Sequence, residues 1–294
     1  MKSSVFKCSF LVFILLVFFS YLIIAQERPK RDYAAEQSAK LEPDRKILFK
    51  TVDDKELYLH FFEPKGYKNT DKRSCFIAIH GGAWAGGEPR RFYSIINEFV
   101  KKGMVGISIQ YRLIQKGERT VVFDCVKDGR TALRYIRQHA EELGINPQKI
   151  IASGGSAGAH IAAGTALFNE INESTDNLSI SPVPNALVLF YPVIDTSPEG
   201  YGNKVIGEHW QKISPLHQVR SGLPPTIIFH GNGDLVTPYQ GARAFYETML
   251  NAGNRCELYT NEGGIHGYMM FEKKFYREAM KKTKVFLKSL KFEN

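Results

Sequence analysis

Ile150-Ile151-Ala152-Ser153-Gly154-Gly155-Ser156-Ala157-Gly158 is the stretch on which the reading of this chain turns. A short apolar strand runs into G-x-S-x-G and then into a small-residue helix, Ala157–Phe168. A serine at so tight a turn takes strained backbone angles, and side chains two positions before and after it would collide. Gly154 and Gly158 fill those two positions. The turn also sets Ser156 at a helix N-terminus, where free N–H groups and the helix dipole favour developing negative charge. A phosphate-binding turn is the competing reading, but neither a Lys-Ser/Thr pair nor G-x-G-x-x-G spacing accompanies it. The stretch reads as a nucleophile presented at a strand-to-helix turn.

Upstream, the apolar run Ser74–His80 ends in His80-Gly81-Gly82-Ala83-Trp84. Acyl transfer needs donors for a tetrahedral oxyanion, and backbone N–H groups serve best where glycines let the main chain approach. Gly81, Gly82 and Ala157 are the expected donors. Downstream, Phe229-His230-Gly231-Asn232-Gly233-Asp234 and Glu262-Gly263-Gly264-Ile265-His266-Gly267 each follow a strand pattern. The order Ser156, Asp234, His266 is that of a nucleophile, an orienting acid and a base on this kind of sheet. In that reading His266 takes the Ser156 proton and returns it to the leaving alcohol, while Asp234 fixes the imidazole tautomer. Asp195, at the end of the preceding strand, is the rival acid but lacks the G-x-G-D context. His80, His160 and His230 read as packed or hydrogen-bonded core residues and His139 as solvent-facing; His209 and His217 sit in a loop that could touch substrate.

Beyond residue 45 strand and helix patterns alternate. Lys46–Thr51 and Glu56–Glu63 read as a hairpin across Asp53-Asp54. Strands follow at Ser74–His80, Met104–Gln110, Lys149–Ser153, Ala186–Tyr191, Thr226–Phe229 and Arg255–Thr260. Helices are expected at Arg91–Lys102, Val121–Leu143 with Gly144 as its stop, Ala157–Phe168, Tyr239–Asn251 and Phe275–Leu290. The result is an α/β fold: an eight-stranded, mostly parallel twisted sheet with helices on both faces. Pro192 to Pro225 breaks the alternation and reads as an irregular, lid-like insertion.

Before this domain (46–294), Lys2 and Lys7 precede the uncharged apolar run Phe10–Ile24, which reads as a signal segment over 1–25. The run is shorter than a full membrane span, and Ile23 makes the cleavage position at Ala25 imperfect, so an uncleaved anchor is the alternative. The chain is thus expected to be exported, with membrane contact only if that segment stays. Residues 26–45 read as a polar leader with one helical turn. The net charge of +9 comes from scattered basic residues with no stripe interleaved with aromatics, which argues against nucleic acid. A solvated basic surface, or attraction to acidic polysaccharide, remains. Of four cysteines, Cys8 lies in the signal; Cys75, Cys125 and Cys256 allow at most one disulfide and no metal-ligand spacing. Neither a metal nor a cofactor is expected. Oligomeric state is not legible.

Taken together, HGGAW, GGSAG, GNGDLVTP and GGIHGY resemble the hormone-sensitive-lipase-like and carbohydrate-esterase-like branch of the α/β-hydrolases, over roughly residues 45 to 292. The resemblance implies cofactor-free hydrolysis of carboxylic esters, and it comes nearest to secreted acetyl or feruloyl esterases acting on plant polysaccharide. The short polar segment before the first strand implies no large helical cap, and the absence of a heavy apolar lid points away from long-chain lipids. The expectation is a serine carboxylesterase that removes short acyl groups, acetyl foremost, from a small-molecule or polysaccharide ester. Trp84, Tyr111 and Trp210 are candidate faces for a sugar or aryl group, or alternatively core and rim aromatics. A peptidase or amidase of the same fold, and a non-catalytic binding module on the hydrolase scaffold, are the competing readings.

Overall fold

The computed structural model describes residues 31–52, 54–117 and 121–292. The expected signal segment, 1–25, lies outside the described residues. Helix α1 (Tyr33–Ser38) comes first, capped by the Asp32 carboxylate, which accepts from the Ala35 N–H at 2.9 Å. It belongs to the fold rather than to a free leader: Ala34 and Ser38 are buried, and the Ser38 hydroxyl accepts from the Ser94 N–H.

The hairpin forms as read, from β1 (Arg45–Val52) and β2 (Lys55–Phe62). Then follow β3 (Arg73–Ile79), α2 (Tyr93–Val100), β4 (Val105–Ile109), α3 (Val122–Gln138), β5 (Ile145–Gly155), α4 (Ala157–Leu167) and β6 (Ala186–Phe190). The irregular segment holds only α5 (Asn203–Ile206) and two single turns of 3-10 helix. The chain closes with β7 (Thr226–Gly231), α6 (Tyr239–Asn251), β8 (Cys256–Asn261), α7 (Tyr268–Phe271) and α8 (Lys273–Ser289). The strands form one eight-stranded sheet in the order β1-β2-β4-β3-β5-β6-β7-β8. β2 runs antiparallel to β1 and to β4; every other pairing is parallel.

Strand periodicity explains how one sheet feeds two cores. In β3, Ile77 and Ile79 point to the side covered by α3, α4 and α6, while Phe76 and Ala78 point to the side covered by α1, α2 and α8. Such strands are buried on both faces and read as continuous apolar runs. Two boundaries differ from expectation. β5 starts at Ile145, because Ile145 pairs with Arg73 before a bulge restores the main register. α3 ends at Gln138 rather than near Leu143: the chain breaks into turns that bury Leu143 and present the Gly144 carbonyl to the Arg73 N–H at 2.9 Å.

A buried ion cluster ties β1 to α3. Lys50 meets Asp128 at 2.5 Å and Glu173 at 2.7 Å, and Arg112 grips Asp128 through two 2.8 Å bonds. Every member has a partner, which is what a buried charge requires. Cys75, Cys125 and Cys256 are buried free thiols, and no disulfide forms among the described residues.

Candidate active site

The elbow bears out the steric argument for its glycines. Ser156 sits at φ 56°, ψ −124°, at the start of α4. A Cβ on Gly158 would lie 2.1 Å from the Ile79 carbonyl oxygen, and one on Gly154 would lie 2.5 Å from Gly158. No larger residue fits either position without moving backbone. The adjoining loop closes just as tightly. Gly82, Ala83 and Trp84 all have positive φ, and the Ala85 and Gly86 N–H groups donate to the Gly82 carbonyl at 3.0 and 2.9 Å. Gly81 lies against the elbow, where a Cβ would meet the Gly155 carbonyl oxygen at 2.7 Å. The N–H groups of Gly81, Gly82 and Ala157 have no acceptor among the described residues.

The structure brings the three widely separated residues into one hydrogen-bonded line. The Ser156 hydroxyl donates to His266 Nε2 at 3.0 Å, and His266 Nδ1 donates to Asp234 Oδ2 at 2.8 Å. Asp195 takes no part: its carboxylate accepts from the Ser197 N–H and lies 3.9 Å from His217. Asp234 is the more constrained acid. Its Oδ1 accepts from the Val236 and Thr237 N–H groups at 2.8 and 2.9 Å, and its Oδ2 accepts from the Thr237 hydroxyl at 2.9 Å. Burial alone would raise this carboxyl; donors from His230, His266 and Thr237 outweigh that and hold it well below the usual carboxylate range.

Two residues that act on the line were not foreseen in those roles. Thr237 clamps both carboxylate oxygens. His230, fully buried, donates from Nε2 to the Thr237 carbonyl at 2.9 Å and stands 3.4 Å from Asp234 Oδ2. The only sequence signal was the pair of polar residues flanking Asp234. Tyr191, at φ 36°, adds an edge-on contact to the His266 ring at 5.1 Å.

Two of the three aromatic expectations need correction. Trp84 is 1 % exposed and turned under its loop, edge to face with His160. Tyr111 is 2 % exposed, stacked on His80, and donates its hydroxyl to the His80 carbonyl at 2.9 Å. Both brace the glycine loop from behind and offer no face to a sugar; Arg112 of the ion cluster is the next residue along. Trp210 is half-buried, edge-on to His217 at 4.9 Å. His217 bonds the Ser214 hydroxyl, and His209 is exposed beside Glu208. No group of three or more His, Cys, Asp or Glu that could hold a metal occurs among the described residues.

His80 and His160 are buried neutral. Burial pushes each down to about 4, partly opposed by bonds to the Gly81 and Ile213 carbonyls. In the unfolded chain each takes a proton near 6.5. Between these values the unfolded state binds more protons, so stability falls as pH falls from 6.5 toward 4. Each should cost about 2 kcal/mol at pH 5. Thermal melting should therefore drop by roughly 10 °C between pH 7.5 and 5; a flat profile across that range would contradict the neutral, buried assignment.

A doubly covered, mostly parallel sheet with a serine at this turn and its histidine and acid after later strands marks one class of enzyme, the α/β-hydrolases with a serine nucleophile. Within that class the chain belongs to the BD-FAE family, whose model matches residues 59–249. Solved structures of esterase 2 from Thermogutta terrifontis superpose with a TM-score of 0.80 at 38% identity, covering 85% of this chain and 95% of theirs; one is phosphorylated by paraoxon and another holds propionate. The acetylxylan esterase of Xylanibacter ruminicola is 28% identical over 76% of this chain and 46% of its own length. A probable isoprenylcysteine alpha-carbonyl methylesterase of Arabidopsis thaliana is 25% identical over 71% and 48%. The chain spans about half the length of these two curated relatives.

Proposed function

We propose that the protein is a serine carboxylesterase that hydrolyses short acyl esters through an acyl-enzyme, and that its natural substrates include acetyl groups on carbohydrate. The unbroken Ser156–His266–Asp234 line carries the reading. His266 Nε2 accepts the Ser156 proton as Oγ attacks the ester carbonyl. The imidazolium that forms is stabilised by Asp234, whose carboxylate stays ionised because four hydrogen bonds, from the Val236 and Thr237 N–H groups, the Thr237 hydroxyl and His266, hold it. The oxyanion is received by N–H groups of the glycine loop and Ala157, which have no other acceptor among the described residues. His266 then protonates the departing alcohol, and water repeats the sequence to release the acid.

Short acyl preference is supported by the Thermogutta terrifontis esterase 2 structures that hold propionate and butyrate. The carbohydrate alcohol is supported by the likeness to an acetylxylan esterase. The test is hydrolysis of p-nitrophenyl esters of increasing acyl length, followed by acetylated xylan. Activity should peak at two to four carbons and acetate should be released from the polymer. A peak at eight carbons or more would overturn the short-acyl reading, and inert polymer would remove the carbohydrate assignment while leaving the esterase intact.

A further inference from the structure

The basic residues are concentrated on one helix, and the fold brings others beside it. Helix α8 alone carries seven Lys and Arg against Glu278, a net 7 − 1 = +6 of the chain's +9. Its apolar side, with Tyr276, Met280 and Phe286, is buried, so the charge faces outward. Between α8, α1 and α2 lies a cavity of 760 Å³ lined by Lys40, Lys101, Lys102, Arg277 and Lys281. None of these five forms an ion pair among the described residues. The one acid in the lining, Glu98, is already bonded to Lys284. Nearby cations outside the cavity are matched: Arg31 with Glu36, Arg90 with Glu42, Arg91 with Asp32. Like charges gathered around one hollow repel one another, and an anion seated there would offset that cost.

The chain supplies a second observation. Tyr33, on the wall of this groove, follows the end of the apolar run at Ile24 by 33 − 24 = 9 residues of sequence. That run is too short to span a bilayer in the ordinary way. A single weak apolar signal gives only marginal membrane attachment, whereas one apolar signal plus a polybasic patch gives a stable one. Val285, 63% exposed on the groove's rim, adds an apolar side chain beside the cations.

We propose that this groove seats the anionic headgroups of a phospholipid surface and, with the N-terminal apolar run uncleaved, acts as the second attachment signal beside it. The lysines and Arg277 supply charge attraction, and Val285 supplies shallow apolar contact. The groove's lining includes no residue of the triad or of the glycine loop.

Co-sedimentation of the full chain with vesicles tests this. Neutral phosphatidylcholine vesicles are compared with vesicles containing phosphatidylglycerol as about a third of their lipid. The wild type should bind the anionic vesicles at least about tenfold more tightly at low salt, with the preference collapsing at high salt. The K101E/R277E/K281E variant should bind both vesicle types alike, with its melting temperature and p-nitrophenyl acetate hydrolysis unchanged. Should that variant melt early, K101Q/R277Q/K281Q replaces it, with most of the preference lost. Equal wild-type binding to both vesicle types would overturn the proposal, as would a preference that survives in a folded variant. Retardation by polygalacturonate that the substitutions abolish, with vesicle binding unmoved, would assign the groove to an acidic polysaccharide and also overturn it.

Discussion

Ser156→Ala should lower kcat on p-nitrophenyl acetate by roughly 10⁵- to 10⁶-fold, the scale seen when a serine hydrolase loses its nucleophile. The Oγ makes one hydrogen bond, to His266 Nε2, and holds no other part of the fold in place. Ser156 backbone angles are held by neighbours that the substitution leaves alone. Its N–H donates to the Phe190 carbonyl at 3.0 Å, and its carbonyl accepts from His160 and Val193. Alanine at φ 56° inherits the strain without adding to it, so the variant should fold and melt like wild type. Residual hydrolysis above the water rate would come from the oxyanion donors, which remain. The same variant should resist labelling by paraoxon, followed as a mass increment on the peptide containing residue 156. Wild-type rates in a folded Ser156→Ala protein would remove the acyl-enzyme mechanism altogether.

Asp234→Asn should cost kcat about 10⁴-fold at neutral pH with little change in KM. The geometry specifies why. Two backbone N–H groups, from Val236 and Thr237, donate to Oδ1, so the amide oxygen of asparagine must stay at that position. Its NH₂ group is then forced into the place of Oδ2, facing His266 Nδ1. The imidazole must accept there and carry its proton on Nε2, pointing at Ser156 with no lone pair to receive the hydroxyl proton. Nitrogen-15 shifts of the His266 ring would show the exchanged tautomer. Loss of activity with the wild-type tautomer retained would refute this account and point to misplacement of the loop.

How much of the fold and site is legible in the sequence differs by residue, for physical reasons. The elbow was legible because its glycines answer a local steric demand, visible within five residues. The central strands β3, β4, β6 and β7 were legible because two-sided burial makes apolar runs. The triad partners were legible from chain order and from glycine-rich turns at strand ends. His230 and Thr237 were not, since their roles depend on through-space contacts with a carboxylate whose surroundings form only on folding. Trp84 and Tyr111 were open to two readings because an aromatic beside an active-site motif can face either way; left-handed backbone at Ala83 and Trp84 turns the indole inward. The cationic groove has no sequence signature because its walls come from residues 40, 101–102 and 277–281, which only packing brings together.

The three buried cysteines carry a practical consequence. Their thiols are raised by desolvation, Cys256 to about 12, and are shielded from solvent. Nothing in the described domain is held by a bond that a reductant can cut, and nothing offers a ready thiolate to an oxidant. The fold is therefore indifferent to the redox potential around it. It can be produced in a reducing cell interior, assayed with or without dithiothreitol, and kept on the bench without scrambling.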